Sequence, residues 1–431
     1  MSAPRNLTDE QLRGENSAQA AGDDRPLRGT VGHARLITAL AVGALAWTVP
    51  FMASIIVLLP ARLDQLDAAH KVTDFATVTV VGSVVALVAN IVFGALSDRT
   101  RSRFGARSPW IVAGAVGLGL SLVALGAAPT FTVLLLVWCV LQLFLNMFLA
   151  PVTAIMADRV APSRRGVAAG LAGTATIIGQ AAAAATGAAF IGHPSAGFFA
   201  LAALPVVGGV AVVLTAPDTS NLDVPRAALT AKTFLETFTF PRKAADFYWA
   251  LSGRFLLVIG YFLIMNYQLF ILTDYMHLSD AAAARVVMLA GLVTVVVGIV
   301  AGLATGPLSD RIGRRKLPVI ASTVLIGAGA LIPFLAADSW AMLAFAGVGG
   351  FAMGMYGAVD QALVVEVLPN KATAAKDLGI LNMANTGGQI VAPAIAAAVI
   401  AGAGGYRSLF LVCVIACVLA AACILPIKSA R

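Results

Sequence analysis

Long apolar runs, each bounded by a few polar or charged residues, recur along nearly the whole chain. A membrane-spanning helix needs about 20 mostly apolar residues. Runs of that kind cover 36–59, 75–96, 110–125, 131–157, 167–191 and 198–214, and then 247–272, 281–308, 317–336, 341–367, 378–401 and 409–427. The pattern predicts an all-α membrane protein with twelve transmembrane helices. A barrel of spanning strands would show short segments of alternating polarity instead. The runs are rich in Ala, Gly, Val and Leu, which lets helices approach closely inside a membrane bundle.

Composition agrees. The 431 residues are 59% hydrophobic and 12% charged, with a mean hydropathy of +0.90, whereas soluble domains carry about a quarter charged residues. The net charge of +8 is explained by topology, which removes the case for a nucleic-acid partner. All but five of the 29 Lys and Arg fall in the N-terminal tail, the even-numbered loops and the C-terminal tail; the five are Arg62, Lys71, Arg254, Arg285 and Arg407. By the positive-inside rule both termini are cytoplasmic, and the expected location is the plasma (inner) membrane. Cys139, Cys413, Cys417 and Cys423 all lie in predicted spans, without CxxC or metal-ligand spacing, and read as small apolar fillers.

The chain repeats itself. Residues 94–109 read GALSDRTRSRFGARSP and 306–316 read GPLSDRIGRRK. A second pair, APVTAIMADRVAP at 150–162 and AVDQALVVEVLP at 358–369, closes the fourth span of each half. A third opens the fifth spans, Gly170 to Gln180 and Gly379 to Gln389. The copies lie about 210 residues apart in the same order, which predicts two related six-helix bundles around a central site. The expected division is a polar, disordered cytoplasmic tail at 1–33, an N-terminal bundle at 34–216, a linker at 217–246, a C-terminal bundle at 247–427 and a short tail at 428–431. Within the linker, a stretch around Phe234, Leu235 and Phe238 is amphipathic enough to lie along the membrane surface.

The doubled G-x-L-S-D-R motif, each copy followed by basic residues, resembles the cytoplasmic loops of the major facilitator superfamily over roughly residues 35–427. The resemblance implies a latch between the halves built from Gly94, Asp98, Arg99, Asp158, Gly306, Asp310, Arg311, Arg315 and Glu366. In it Gly94 and Gly306 allow close packing. Asp98 faces the start of the eleventh span and Asp310 the start of the fifth, where a helix dipole favours an anion. The bland alternative is that these charges only satisfy the positive-inside rule. SRFGARSP at 102–109 and NMFLAPVTAIMAD at 146–158 further resemble the glycoside-pentoside-hexuronide and sucrose–proton symporter branch. Ala106 and Ser108 interrupt its basic loop, and Thr153 stands where sucrose symporters carry an Arg. Against drug–proton antiport, the fourth span has no Arg before Arg159 and the fifth has no Gly-Pro.

Polar side chains at membrane depth carry the functional expectation. A charge there costs about 2.5–3.5 kcal/mol on insertion scales, so it marks function by default. Asp360 and Arg254 qualify at similar depth, and a pair made and broken during the cycle would couple proton uptake to movement. A permanently ionised, structural Asp360 is the alternative. Substrate-binding candidates are Trp47, Gln142, Asn146, Gln180, Tyr261, Asn266, Gln268, Tyr356, Gln361, Asn385 and Gln389, joined by Tyr267 and Asn382. Amides and aromatic rings suit a polyhydroxyl ligand, and the family resemblance places its site on the spans that carry them. Any one of them could instead be interhelical glue. Pro50, Pro151 and Pro393 are expected to kink their helices near the cavity.

No phosphate-binding G-x-x-x-x-G-K-[ST] loop is present. GGFAMG at 349–354 reads as a packing face. His33, His70, His193 and His277 lie outside the spans, so no histidine relay is evident. The chain is expected to be no enzyme and to need no cofactor or metal. Its expected partners are the lipid bilayer, a small-molecule substrate and a coupling ion, a proton, and its expected working unit is a monomer. Proton-coupled uptake of a neutral sugar or glycoside is the first reading. Proton-coupled efflux of an amphiphilic drug or metabolite is the second, and a receptor without transport the third.

Overall fold

A computed structural model describes residues 31–222, 241, 244–312, 315–367 and 374–427. The tail at 1–30, the amphipathic linker stretch and residues 428–431 lie outside these. Among the described residues, twelve helices are long and apolar enough to cross a membrane. They are α1 His33–Leu66, α2 Lys71–Arg99, α3 Ser108–Ala127, α4 Phe131–Arg159, α5 Arg165–Ala189 and α6 Pro194–Thr215, followed by α7 Ala245–Met265, α8 Asp280–Ile312, α9 Lys316–Leu335, α10 Ser339–Glu366, α11 Ala374–Val399 and α12 Gly405–Ile424. Several run a turn or two beyond their apolar runs, because hydrophobicity marks the bilayer core and the helices continue through the interface. Many large apolar side chains point outward, among them Val88, Leu120, Leu136, Leu303 and Leu335. In a membrane protein that face meets lipid.

The packing shows the repeat directly. In the first half α1 packs on α5 and α6, α2 on α4, and α3 on α4 and α6. In the second half α7 packs on α11 and α12, α8 on α10, and α9 on α10 and α12. Each partnership recurs six helices later. The halves meet through α5 against α8 and α2 against α11, two contacts related by the same offset.

Small residues set the closest approaches. Gly298 and Gly302 on α8 face Gly350 and Gly354 on α10; a Cβ on Gly350 would lie 2.7 Å from the Thr294 backbone, and one on Gly354 closer still to the Gly298 carbonyl. GGFAMG is therefore a packing face, where absent side chains let two backbones touch. The prolines act more locally. Pro50 is followed by a π-turn at Ser54–Leu58, with Ser54 Oγ donating to the Pro50 carbonyl at 2.6 Å.

Candidate functional site

The two ends of the bundle differ. At the face opposite the chain termini the halves are joined. Lys71, opening α2, places Nζ 2.8 Å from Asp274 Oδ1 beyond α7, and 2.7 Å from Asp64 of its own half. Tyr267, fully buried, sets its hydroxyl 3.2 Å from the Val72 carbonyl across the seam and 3.1 Å from the carbonyl of Pro393 in α11. Slightly deeper, a Cβ on Gly291 of α8 would lie 2.6 Å from Ala184 of α5. Gly94, Gly166, Gly170, Gly173 and Gly357 have no described atom within 4 Å of the Cβ position. The described contacts between the halves named here gather at the face opposite the termini.

Inside the second half lies a buried ion pair. Arg254 Nη2 of α7 stands 3.1 Å from Asp360 Oδ2 of α10, with side chains 5% and 7% exposed. Arg254 Nε donates to Asn385 Oδ1 of α11 at 2.9 Å. One cation thus ties together three helices, two of which bring their polar groups from more than 100 residues away. A void of about 10 Å³ adjoins the pair, bounded by Arg254, Tyr356, Asp360 and apolar residues of α7, α9, α10 and α12. Tyr356 is buried, with its hydroxyl beside the Asp360 carboxylate. The two residues expected at similar depth meet directly. Arg254 and Asp360 are enclosed in the second half in this state.

The other candidates distribute as follows. Asn146, buried on α4, accepts from Asn90 Nδ2 of α2 at 3.1 Å and donates to the Gln142 carbonyl at 2.9 Å. Gln142 Oε1, Thr48 Oγ1 and Trp138 Nε1 are buried without partners among the described residues. Trp138 stacks on Phe51, which Trp47 approaches with ring centroids 6.2 Å apart. Tyr261 and Asn266 are half-buried and Gln268 is buried, while Gln180 and Gln389 are exposed. Gln180 sits one helical turn from Ala184 on α5. The side chains of Gln361 and Asn382 lie outside the described residues. Between α7 and α11 is an open pocket of about 230 Å³, lined by Leu251, Ser252, Phe255, Ile380, Met383 and Ala384. Asn90 and Trp138 are absent from the sequence-based set. Asn90 carries a signal, an amide inside an apolar run; Trp138 resembles any buried aromatic.

At the terminal face Arg107, rather than Arg99, is the centre of charge. Its Nη2 meets Asp98 at 2.5 Å and Asp158 at 2.7 Å, and its Nη1 donates to Ser97 Oγ. Burial acts to lower the guanidinium pKa, but Asp158 and Asp98 outweigh it and hold it above its ordinary value. Asp98 and Asp158 thereby share one cation of their own half. Asp218 accepts from the Arg107 backbone N–H at 3.1 Å, and Gly105, at φ +81°, leaves room for the Asp218 carboxylate. Arg159 donates to the carbonyls of Ala216 and Pro217, so the start of the linker is strapped to the motif loop. Of the second latch, Arg99's counterpart Arg311 is exposed and Arg315 half-buried. The side chains of Gly306, Asp310 and Glu366 lie outside the described residues.

Comparison with known proteins agrees with this architecture. A curated relative, the MFS transporter asaE of Aspergillus flavus, is 30% identical over 168 residues, 38% of this chain. The match spans only 36% of that relative's length. Two crystal structures of a bacterial homologue of the human lysosomal transporter Spinster, both inward-facing, one unoccupied and one occupied, superpose with TM-scores of 0.65. They share 15% identity, covering 90% of this chain and 95% of theirs, and at that identity the likeness is one of fold. The sequence profile of the Major Facilitator Superfamily matches residues 36–304 and 295–431. With twelve spanning helices, two repeated halves and a profile match over nearly all of its length, the chain belongs to the Major Facilitator Superfamily of membrane transporters.

Proposed function

We propose that the protein is a proton-coupled secondary transporter of a small neutral solute, acting as a monomer in the plasma membrane with both termini cytoplasmic. The observation that carries the reading is the enclosed Arg254–Asp360 pair with Asn385 as its third member. A buried carboxylate whose only described ionic partner is one Arg can accept a proton when that contact is released, and protonation frees Arg254 to reorganise α7 against α10 and α11. Two helices of this cluster, α7 and α11, reach the sealed end through Tyr267 and Pro393, which gives the pair mechanical access to the gate.

Uptake of a sugar or glycoside is the reading favoured by the amides and rings at membrane depth, Trp47, Gln142, Asn146 and Gln180 in the first half and Asn266, Gln268, Asn385 and Gln389 in the second. A second reading, efflux of an amphiphile, is favoured by the largely apolar lining of the pocket between α7 and α11. Proteoliposomes tested with a sugar panel and a cationic dye, under pH gradients of both signs, separate the two. Gradient-driven sugar accumulation supports the first, and dye extrusion the second. Asp360→Asn is expected to abolish gradient-driven accumulation while sparing solute exchange. Unchanged accumulation in that variant overturns the coupling assignment.

A further inference from the structure

Lys71 is held by two carboxylates, one from each half. Asp64 closes the helix that precedes Lys71, and Asp274 lies in the π-turn Ile271–Tyr275 that extends α7. The ammonium also lies 5.3 Å from the centroid of the Phe270 ring, and the Lys71 side chain is 13% exposed. Asp274 is independently braced in its own half, since Tyr406 of α12 donates to Oδ2 at 2.7 Å and Thr273 donates to Oδ1 at 2.9 Å. Other titratable groups nearby are the exposed His70–Asp67 pair, Asp74 on the next turn of α2, and Asp280, which lines a cavity of about 70 Å³ together with Asp64.

We infer that Lys71 is the gating residue of the face opposite the termini, a cation passed between Asp274 and Asp64 as that face opens. The inference rests on the secondary-transport reading above. Breaking a desolvated ion pair normally strands both charges, which is its main cost. Here neither charge is stranded. When the halves part, Asp64 travels with Lys71, and Tyr406 and Thr273 travel with Asp274. The seal is therefore held by charge-assisted bonds yet can be released reversibly.

The two carboxylates should then act in opposite directions, which an ordinary stabilising salt bridge would not produce. In full-length protein in nanodiscs, with the native cysteines replaced and nitroxides at Ala68→Cys and Ser279→Cys, electron–electron distance distributions report opening across this face. Asp274→Asn is expected to shift the population toward longer distances by about tenfold, the size of one charge-assisted hydrogen bond. Asp64→Asn, which leaves Lys71 with Asp274 alone, is expected to shorten and narrow the distribution and to slow exchange. Lys71→Met should open the face and Lys71→Arg should keep it closed, and the latter serves as the folding control. If Asp64→Asn and Asp274→Asn open the face alike, or neither moves the distribution, the inference is overturned. Opposed shifts with no transport of any sugar or dye uphold it and refute the solute reading instead.

Discussion

Arg254 shows how one side chain acquires meaning from its surroundings. In the sequence it is a lone Arg in an apolar run; in the fold it answers Asp360 and Asn385 at 3.1 and 2.9 Å. Removing one member of a buried pair leaves an uncompensated charge, at a cost of about 3–5 kcal/mol, while replacing both by apolar groups is often neutral. Arg254→Met is therefore expected to lower the thermal unfolding midpoint in detergent, and Arg254→Met with Asp360→Leu to restore it. A double variant no more stable than the single one would show that the pair is not the local source of stability. Elsewhere charge is managed at the surface. In the exposed loop between α1 and α2, the hydrogen bond between Asp67 and His70 lowers the carboxyl and raises the imidazole.

At the scale of elements, glycine position matters more than glycine number. The α8–α10 contact depends on Gly298 and Gly354 meeting backbone to backbone, while Gly357, one turn further along α10, faces open space. Gly354→Val should force the helices apart and destabilise the second half by roughly 1–3 kcal/mol. Gly357→Ala should be close to neutral in the same thermal assay. Equal losses would mean that α10 packs differently. The GGFAMG segment was legible as a packing face because small residues at a four-residue spacing have few other uses in a membrane helix. Its partner on α8 was not legible, since Gly298 and Gly302 sit in a run where every position is small or branched.

For the molecule as a whole, the described contact between the halves varies along the length of α5. On α5, Ala184 is pressed against Gly291, whereas Gly173, three turns away, meets no described atom. A membrane-impermeant maleimide added from the terminal side should label Gly173→Cys and spare Ala184→Cys. Labelling of neither would place Gly173 against lipid instead of a water-filled cleft. At the terminal face Asp98 and Asp158 converge on Arg107 within the first half, while the side chains of Asp310 and Glu366 lie outside the described residues.

The order of apolar runs, the six-helix repeat and the asymmetry of basic residues determine the family architecture, because each follows from the cost of placing polar groups in lipid. Helix-depth polarity also singled out Arg254, Asp360 and Asn385. Tertiary structure alone decided that these three form one enclosed cluster, that Arg107 rather than Arg99 gathers the loop carboxylates, and that Lys71 serves both halves at once. Spacing along a chain fixes which face of a helix a residue occupies. Which residue meets it across a gap of 100 or 200 positions depends on how twelve helices pack, and that is written in shape as much as in polarity.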